Sequence, residues 1–72
     1  MRLIINGKEQ LINSGNITIQ EILKICDVKS PELVSVQLNR KFIKREEFPT
    51  TLAGENDEID FLYFMGGGGL FN

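Results

Sequence analysis

The residues that could do chemistry in this chain are few, and the longest run of candidates carries no side chains. Gly66, Gly67, Gly68 and Gly69 follow one another without a break. A glycine run costs more conformational entropy to order than any other sequence of its length, so it calls for an explanation. It is not a phosphate-cradling loop, because no Lys-Ser or Lys-Thr follows and no helix begins there to hold an anion. Two readings remain. One is a terminus without a role. The other is a thread, free of Cβ atoms, that passes through a narrow channel and delivers a carboxylate to chemistry inside a partner. At roughly 3.3–3.6 Å per residue, three glycines reach about 10 Å from the edge of whatever body holds them.

The rest of the sequence offers little chemistry of its own. It contains no histidine and one cysteine, so neither Ser/His/Asp nor Cys/His nucleophile systems can be built within the chain. Cys26 alone cannot make a zinc site or hold an iron–sulfur cluster. The adjacent acids Glu46-Glu47 and Asp57-Glu58 read as solvated charge at turns rather than as a general acid/base pair. The expectation is a protein that is not an enzyme and binds no cofactor or metal. A net charge of −2 gives no general electrostatic reason to bind nucleic acid or an anionic membrane. Arg40, Lys41, Lys44 and Arg45 do cluster at one turn, as a solvated face, a contact for an acidic protein or, less readily, a nucleic-acid contact. No aromatic interleaving supports base stacking.

The elements that must present the glycines are legible from local pattern. Leu3-Ile4-Ile5 is a short strand, Asn6-Gly7 a hairpin turn, and Lys8 to Asn13 a polar return strand suited to a sheet edge. Thr18 followed by Glu21 is a capping box, with Ile17 and Ile22 placed as its hydrophobic staple. Ile19, Ile22, Leu23 and Cys26 then recur as one helical stripe, which assigns Cys26 to core packing. Asp27, and then Ser30-Pro31, ends the helix. Leu33 to Leu38 alternates as a half-buried strand, Asn39-Arg40-Lys41 turns into Phe42-Ile43, and Lys44 to Gly54 is irregular, with Phe48-Pro49 and Leu52 expected to plug the sheet rim. Ile59 to Met65 is the last and most apolar strand.

One helix among these strands must lay its stripe on one face of a mixed sheet. The fold class expected is α+β, a β-grasp (ubiquitin-like) roll with a mixed five-stranded sheet and one main helix, its first and last strands central. Residues 1–65 form the domain and 66–72 a flexible glycine-rich tail. With 72 residues, the chain buries roughly 60% of its unfolded surface and has net stability on the order of 3–5 kcal/mol. No apolar run approaches the roughly 20 residues of a membrane span. The opening residues are too short an apolar stretch for a signal peptide, and a lone cysteine forms no internal disulfide. Together these favour a cytoplasmic protein that is a monomer alone.

Along the last strand Ile59 and Phe61 are assigned to the core, which turns Leu62 and Phe64 to the opposite face. Either the irregular segment around Phe48 folds over them, or they form an apolar docking patch just before the tail.

Over nearly its whole length the sequence resembles the ThiS/MoaD family of ubiquitin-like sulfur carriers, nearer the thiamin-type branch. Leu3 to Lys8 resembles the family's first hairpin and Ile17 to Leu23 its helix start. Val36-Gln37-Leu38-Asn39, then Ile43 to Phe48, resembles its "V-x-x-N…V-P-R-x-x-aromatic" stretch. Leu52 and Glu55 to Ile59 resemble the turn leading to the last strand and a Gly-Gly terminus. The resemblance implies that a partner E1-like adenylating enzyme (ThiF-type), using ATP and Mg²⁺, couples AMP to the carrier's terminal glycine. A sulfur donor, either a cysteine desulfurase or a rhodanese-like protein, then yields a thiocarboxylate for a thiazole synthase (ThiG-type). Carried over by position, the reactive terminus is Gly67-Gly68, with Gly66 or Gly69 as the neighbouring registers. The partner interface is Leu62, Phe64, Met65 and Arg45.

Lys44 stands where the family has proline and Asn56 where it has a turn glycine. The chain also runs past Gly68 into Gly69-Leu70-Phe71-Asn72. The resemblance implies that this extension is removed first, as a JAMM-type protease does for some carriers. Rival readings are a ubiquitin-like modifier forming isopeptide bonds and a β-grasp interaction module whose tail never reacts.

Overall fold

The computed structural model describes residues 1–65 and 69–70, the last two residues of the first segment and both of the second by backbone alone. Asn6 and Gly7 have φ of 52° and 80°, the two positive values of a type I′ turn, whose twist matches that of the strands it joins. The turn links β1 (Arg2–Ile5) to an antiparallel β2 (Lys8–Leu11), with Ile5 opposite Lys8. β2 is exposed throughout, as an edge strand of this composition should be.

β3 (Ile17–Thr18) leads directly into α1 (Ile19–Ile25). The capping box is present. Thr18 Oγ1 accepts from the Glu21 amide at 3.2 Å, and Glu21 Oε1 accepts from the Thr18 amide at 3.0 Å. The amides of Ile19 and Gln20, which have no partner within the helix, donate to Thr51 O and Phe48 O at 3.0 and 3.1 Å. Seven residues would not hold a helix alone in water. Burial of Ile19, Ile22 and Leu23 does so here, and Asp27, at φ 56°, ends it.

Thr18→Ala is therefore expected to cost about 1 kcal/mol in chemical denaturation, within the 0.5–2 kcal/mol span of such caps. The Thr18 backbone amide, then the Thr18 hydroxyl and Lys24, hold the Glu21 carboxyl below its ordinary 4.5. A lowered folded value means that this contribution is complete above about pH 4.5 and is lost as the pH falls through the lower one. Glu21→Gln should flatten that acid limb.

A 3₁₀ turn at Pro31–Leu33 precedes β4 (Val34–Leu38), so that strand begins one residue later than its pattern suggested. β4 turns through Asn39-Arg40, φ 51° and 71°, into an antiparallel β5 (Lys41–Ile43). After a second 3₁₀ turn at Arg45–Glu47 come β6 (Leu52–Ala53), β7 (Glu58–Met65) and β8 (Gly69–Leu70). The main sheet runs β2-β1-β7-β4-β5, with β8 added to β7. β7 is central, parallel to β1 (Ile5 opposite Ile59) and antiparallel to β4 (Val36 opposite Phe61). This is a β-grasp roll with a mixed five-stranded sheet and one α-helix, and its two most apolar strands lie side by side in the middle. Leu3, Ile5, Val34, Val36 and Ile59 meet Ile19, Ile22 and Leu23 between sheet and helix.

The Lys44–Gly54 segment departs from expectation. It holds a 3₁₀ turn and β6, and β6 pairs with β3 in a separate two-stranded sheet, Ile17 opposite Ala53 and Thr18 opposite Leu52. Two-residue strands are too short to show an alternation in sequence. Leu52 does not plug the rim: it is 55% exposed, and Ala53 points inward, fully buried, in its place. Phe48 is buried as expected, on the helix side, where its carbonyl caps α1. The two departures from the family pattern also find a cause. Lys44 sits at φ −68° and ψ 144°, the conformation proline imposes. Asn56 sits at φ 68°, where asparagine is among the few residues that replace glycine at low cost.

Candidate functional site

β7 carries the candidate site, because its two faces have different surroundings and the glycine run follows its end. Ile59 is fully buried and Phe61 packs on the core. Leu62, one residue out of phase, lies on the opposite face with Ser35 as its cross-strand neighbour and is half-buried. Asp60 and Phe42 both lie opposite Gln37 on that same face. Phe42 is 63% exposed. The Phe48 segment wraps the helix end and leaves this face open.

Phe42 is a candidate contact residue that sequence reasoning did not single out. The signal was there: counting back from the two-residue Asn39-Arg40 turn puts Phe42 opposite Gln37, out of phase with the buried Val36. Side chains of Phe64 and Met65 lie outside the described residues, as do Gly66, Gly67 and Gly68. The backbone after them returns to β7, with Gly69 opposite Met65 and Leu70 opposite Phe64.

The structure does not bring Arg45 to Leu62. Its guanidinium donates to Pro31 O at 2.7 Å, Glu32 O at 3.2 Å and Val34 O at 2.8 Å, and lies 5.4 Å from the centre of the Phe48 ring. It ties the turn before β4 to the turn after β5, a task for a planar fork of donors. Arg45→Lys keeps the charge and loses the fork. A stability loss of about 0.5–1.5 kcal/mol is expected from the lost hydrogen bonds, read by denaturation. Asn39 performs a similar task at β7, its amide donating to Asp57 Oδ1 at 3.1 Å while its carbonyl accepts from the Glu58 amide at 2.9 Å.

The lone cysteine is not poised for sulfur chemistry. Burial pushes the Cys26 thiol up, away from the thiolate that a sulfur nucleophile needs, and the residue packs against the core. Among the described residues no group of three His, Cys, Asp or Glu could hold a metal, and no helix is long and apolar enough to cross a membrane. What the arrangement offers is a central strand, an open face beside it on which Leu62 and Phe42 stand among polar neighbours, and a run of glycines following its end.

Comparison with known proteins agrees with this plan. The model of the ThiS family matches residues 2–68. A crystal structure of the thiamine biosynthesis protein ThiS from Geobacter metallireducens is similar, with a TM-score of 0.88 and 38% identity, covering 94% of this chain and all of that one. An NMR structure of a thiamine biosynthesis protein from the same organism gives 0.77 and 37%, covering all of this chain and 94% of that one. No curated protein matches the chain.

Proposed function

The chain belongs to the ThiS family, a family of small carriers and not of enzymes, and on that premise we propose that it carries sulfur for thiamine biosynthesis on a glycyl thiocarboxylate formed at Gly68. The observation that carries the reading is where the match to the family stops. It spans residues 2–68 and leaves Gly69-Leu70-Phe71-Asn72 beyond Gly67-Gly68.

The chemistry asks for a bare end. A carboxylate is a poor acyl donor until its oxygen becomes part of a good leaving group. An E1-like adenylating partner, with ATP and Mg²⁺ as its own substrates, directs the Gly68 carboxylate at the α-phosphorus and releases pyrophosphate. The terminal sulfur of a persulfide, held by a cysteine desulfurase or rhodanese-like donor, attacks the carbonyl and expels AMP. Cleavage of the resulting acyl disulfide by a thiol leaves the thiocarboxylate, which a thiazole synthase consumes. The body of this chain contributes position. The open face with Leu62 and Phe42 meets the partner, and glycines without Cβ atoms enter its channel. Residues beyond Gly68 block this until a protease, of the JAMM type in this reading, removes them.

Ending the chromosomal gene after Met65 should create a requirement for thiamine or its thiazole, and ending it after Gly68 should not. Growth of the Met65 strain without supplement would contradict a carrier and favour an interaction module. Branched Gly-Gly remnants on other proteins would favour a ubiquitin-like modifier.

A further inference from the structure

The first turn of the fold reaches the strand that carries the candidate site. β1 ends at Ile5, whose parallel partner is Ile59. In a parallel ladder one residue donates to its neighbour strand and accepts from a residue two positions further along it. Ile4 donates in this way to Asp57 O at 3.0 Å, and Asn6 donates to Ile59 O at 2.9 Å. Had β1 continued, the main-chain carbonyl of Asn6 would be due at the Phe61 amide. The chain turns instead, with Asn6 at φ 52°, and Asn6 Oδ1 accepts from that amide at 2.8 Å. A side-chain oxygen thus replaces a backbone carbonyl and carries the ladder one step past the end of the strand.

The step it adds lies beside the open face. Asp60 and Leu62 are paired with Gln37 and Ser35 of β4, so the Phe61 backbone between them is directed to the other edge. Leu62 therefore stands on a stretch of β7 that β4 holds along one edge and Asn6 holds along the other. The bond to Phe61 is open to solvent.

The residue type at position 6 answers to both tasks. A type I′ turn ahead of Gly7 accepts Asn, Asp or Gly at its first central position, and of these only Asn and Asp carry an oxygen. Resting on the sulfur-carrier reading above, we propose that Asn6 is a positioning residue for the partner-binding face: its side-chain oxygen holds the Phe61-Leu62 stretch of β7 in the geometry that the adenylating partner binds. Asn6 itself lies at the sheet edge and acts through Phe61.

The three residues that suit the turn supply the test, because Asn6→Gly removes the oxygen while Asn6→Asp keeps one. Chains ending at Gly68 would be converted to the thiocarboxylate by an adenylating partner, ATP and a persulfide donor. Asn6→Gly should raise KM for the carrier about tenfold with kcat unchanged, the sign of lost binding rather than lost chemistry. Hydrogen exchange of the Phe61 amide should also quicken about tenfold in this chain, as a local closing contact is removed. Asn6→Asp should restore both to within about twofold, since a carboxylate accepts the same bond. Exchange at Val36, deep in the sheet, should stay unchanged and shows that each chain is folded. Faster Phe61 exchange with an unchanged KM would make the bond purely structural and overturn the proposal. An equal rise of KM in Asn6→Asp would overturn it as well. Either result leaves the carrier reading standing, whereas no conversion of the chain with Asn6 in place would contradict that reading and this proposal with it.

Discussion

A chain ending at Gly68 is expected to be converted to its thiocarboxylate by an adenylating partner, ATP and a persulfide donor, while the intact 72-residue chain is not converted at all. The difference is one of kind. Adenylation needs a free glycine carboxylate, and in the intact chain the Gly68 carbonyl is an amide. The residues beyond it include Leu70 and Phe71, whose side chains a channel shaped for bare backbone excludes. Mass spectrometry of the two reactions separates the outcomes, since replacement of oxygen by sulfur adds about 16 Da, a covalent change to be read directly. Thiocarboxylate formed on the intact chain with no loss of mass elsewhere would refute the trimming step. Failure of the Gly68 chain, with efficient conversion of one ending at Gly67 or Gly69, would move the reactive register.

The second large effect concerns the body. Ile59→Ala is expected to bring the protein to the edge of unfolding at 25 °C, with unfolded chains detectable before any denaturant is added. Ile59 is fully buried in the central strand, opposite Ile5 on one side and Leu38 on the other. Truncation of a core isoleucine costs about 2–5 kcal/mol when the cavity cannot collapse. A domain of this size has only about 3–5 kcal/mol to lose. Ile59→Val, at about 0.5–1.5 kcal/mol, should remain folded with a lowered midpoint. Ile25→Ala provides the contrast. Ile25 is 53% exposed at the helix end, and its removal should shift the midpoint little. Circular dichroism against denaturant orders the three.

What could be read in advance was whatever depends on neighbours in sequence. Asn6-Gly7 fixes a turn by its own backbone preferences, and Thr18 with Glu21 caps a helix across three residues. The apolar density of the first and last strands puts them at the sheet centre because only there are both edges covered. What escaped depends on contacts made across the chain. Leu52 and Ala53 exchange roles because β6 pairs with Ile17-Thr18, some 35 residues away. Arg45 resembles its neighbours Lys41 and Lys44 as a surface cation, yet three carbonyls from Pro31, Glu32 and Val34 claim it. At the site, the glycine run stood out by composition and Leu62 by alternation. Phe42 needed the exact register of the second hairpin, which a two-residue turn sets but which no single residue announces.

The central claim is that this fold holds out a backbone end for another protein to charge. Its most direct test is the intact mass of the protein isolated from its native cells during growth without thiamine. The account predicts a species ending at Gly68 and, in a fraction of it, about 16 Da more, for one oxygen exchanged for sulfur. Recovery of the unmodified chain alone, still carrying Leu70 and Phe71 under that demand, would contradict it.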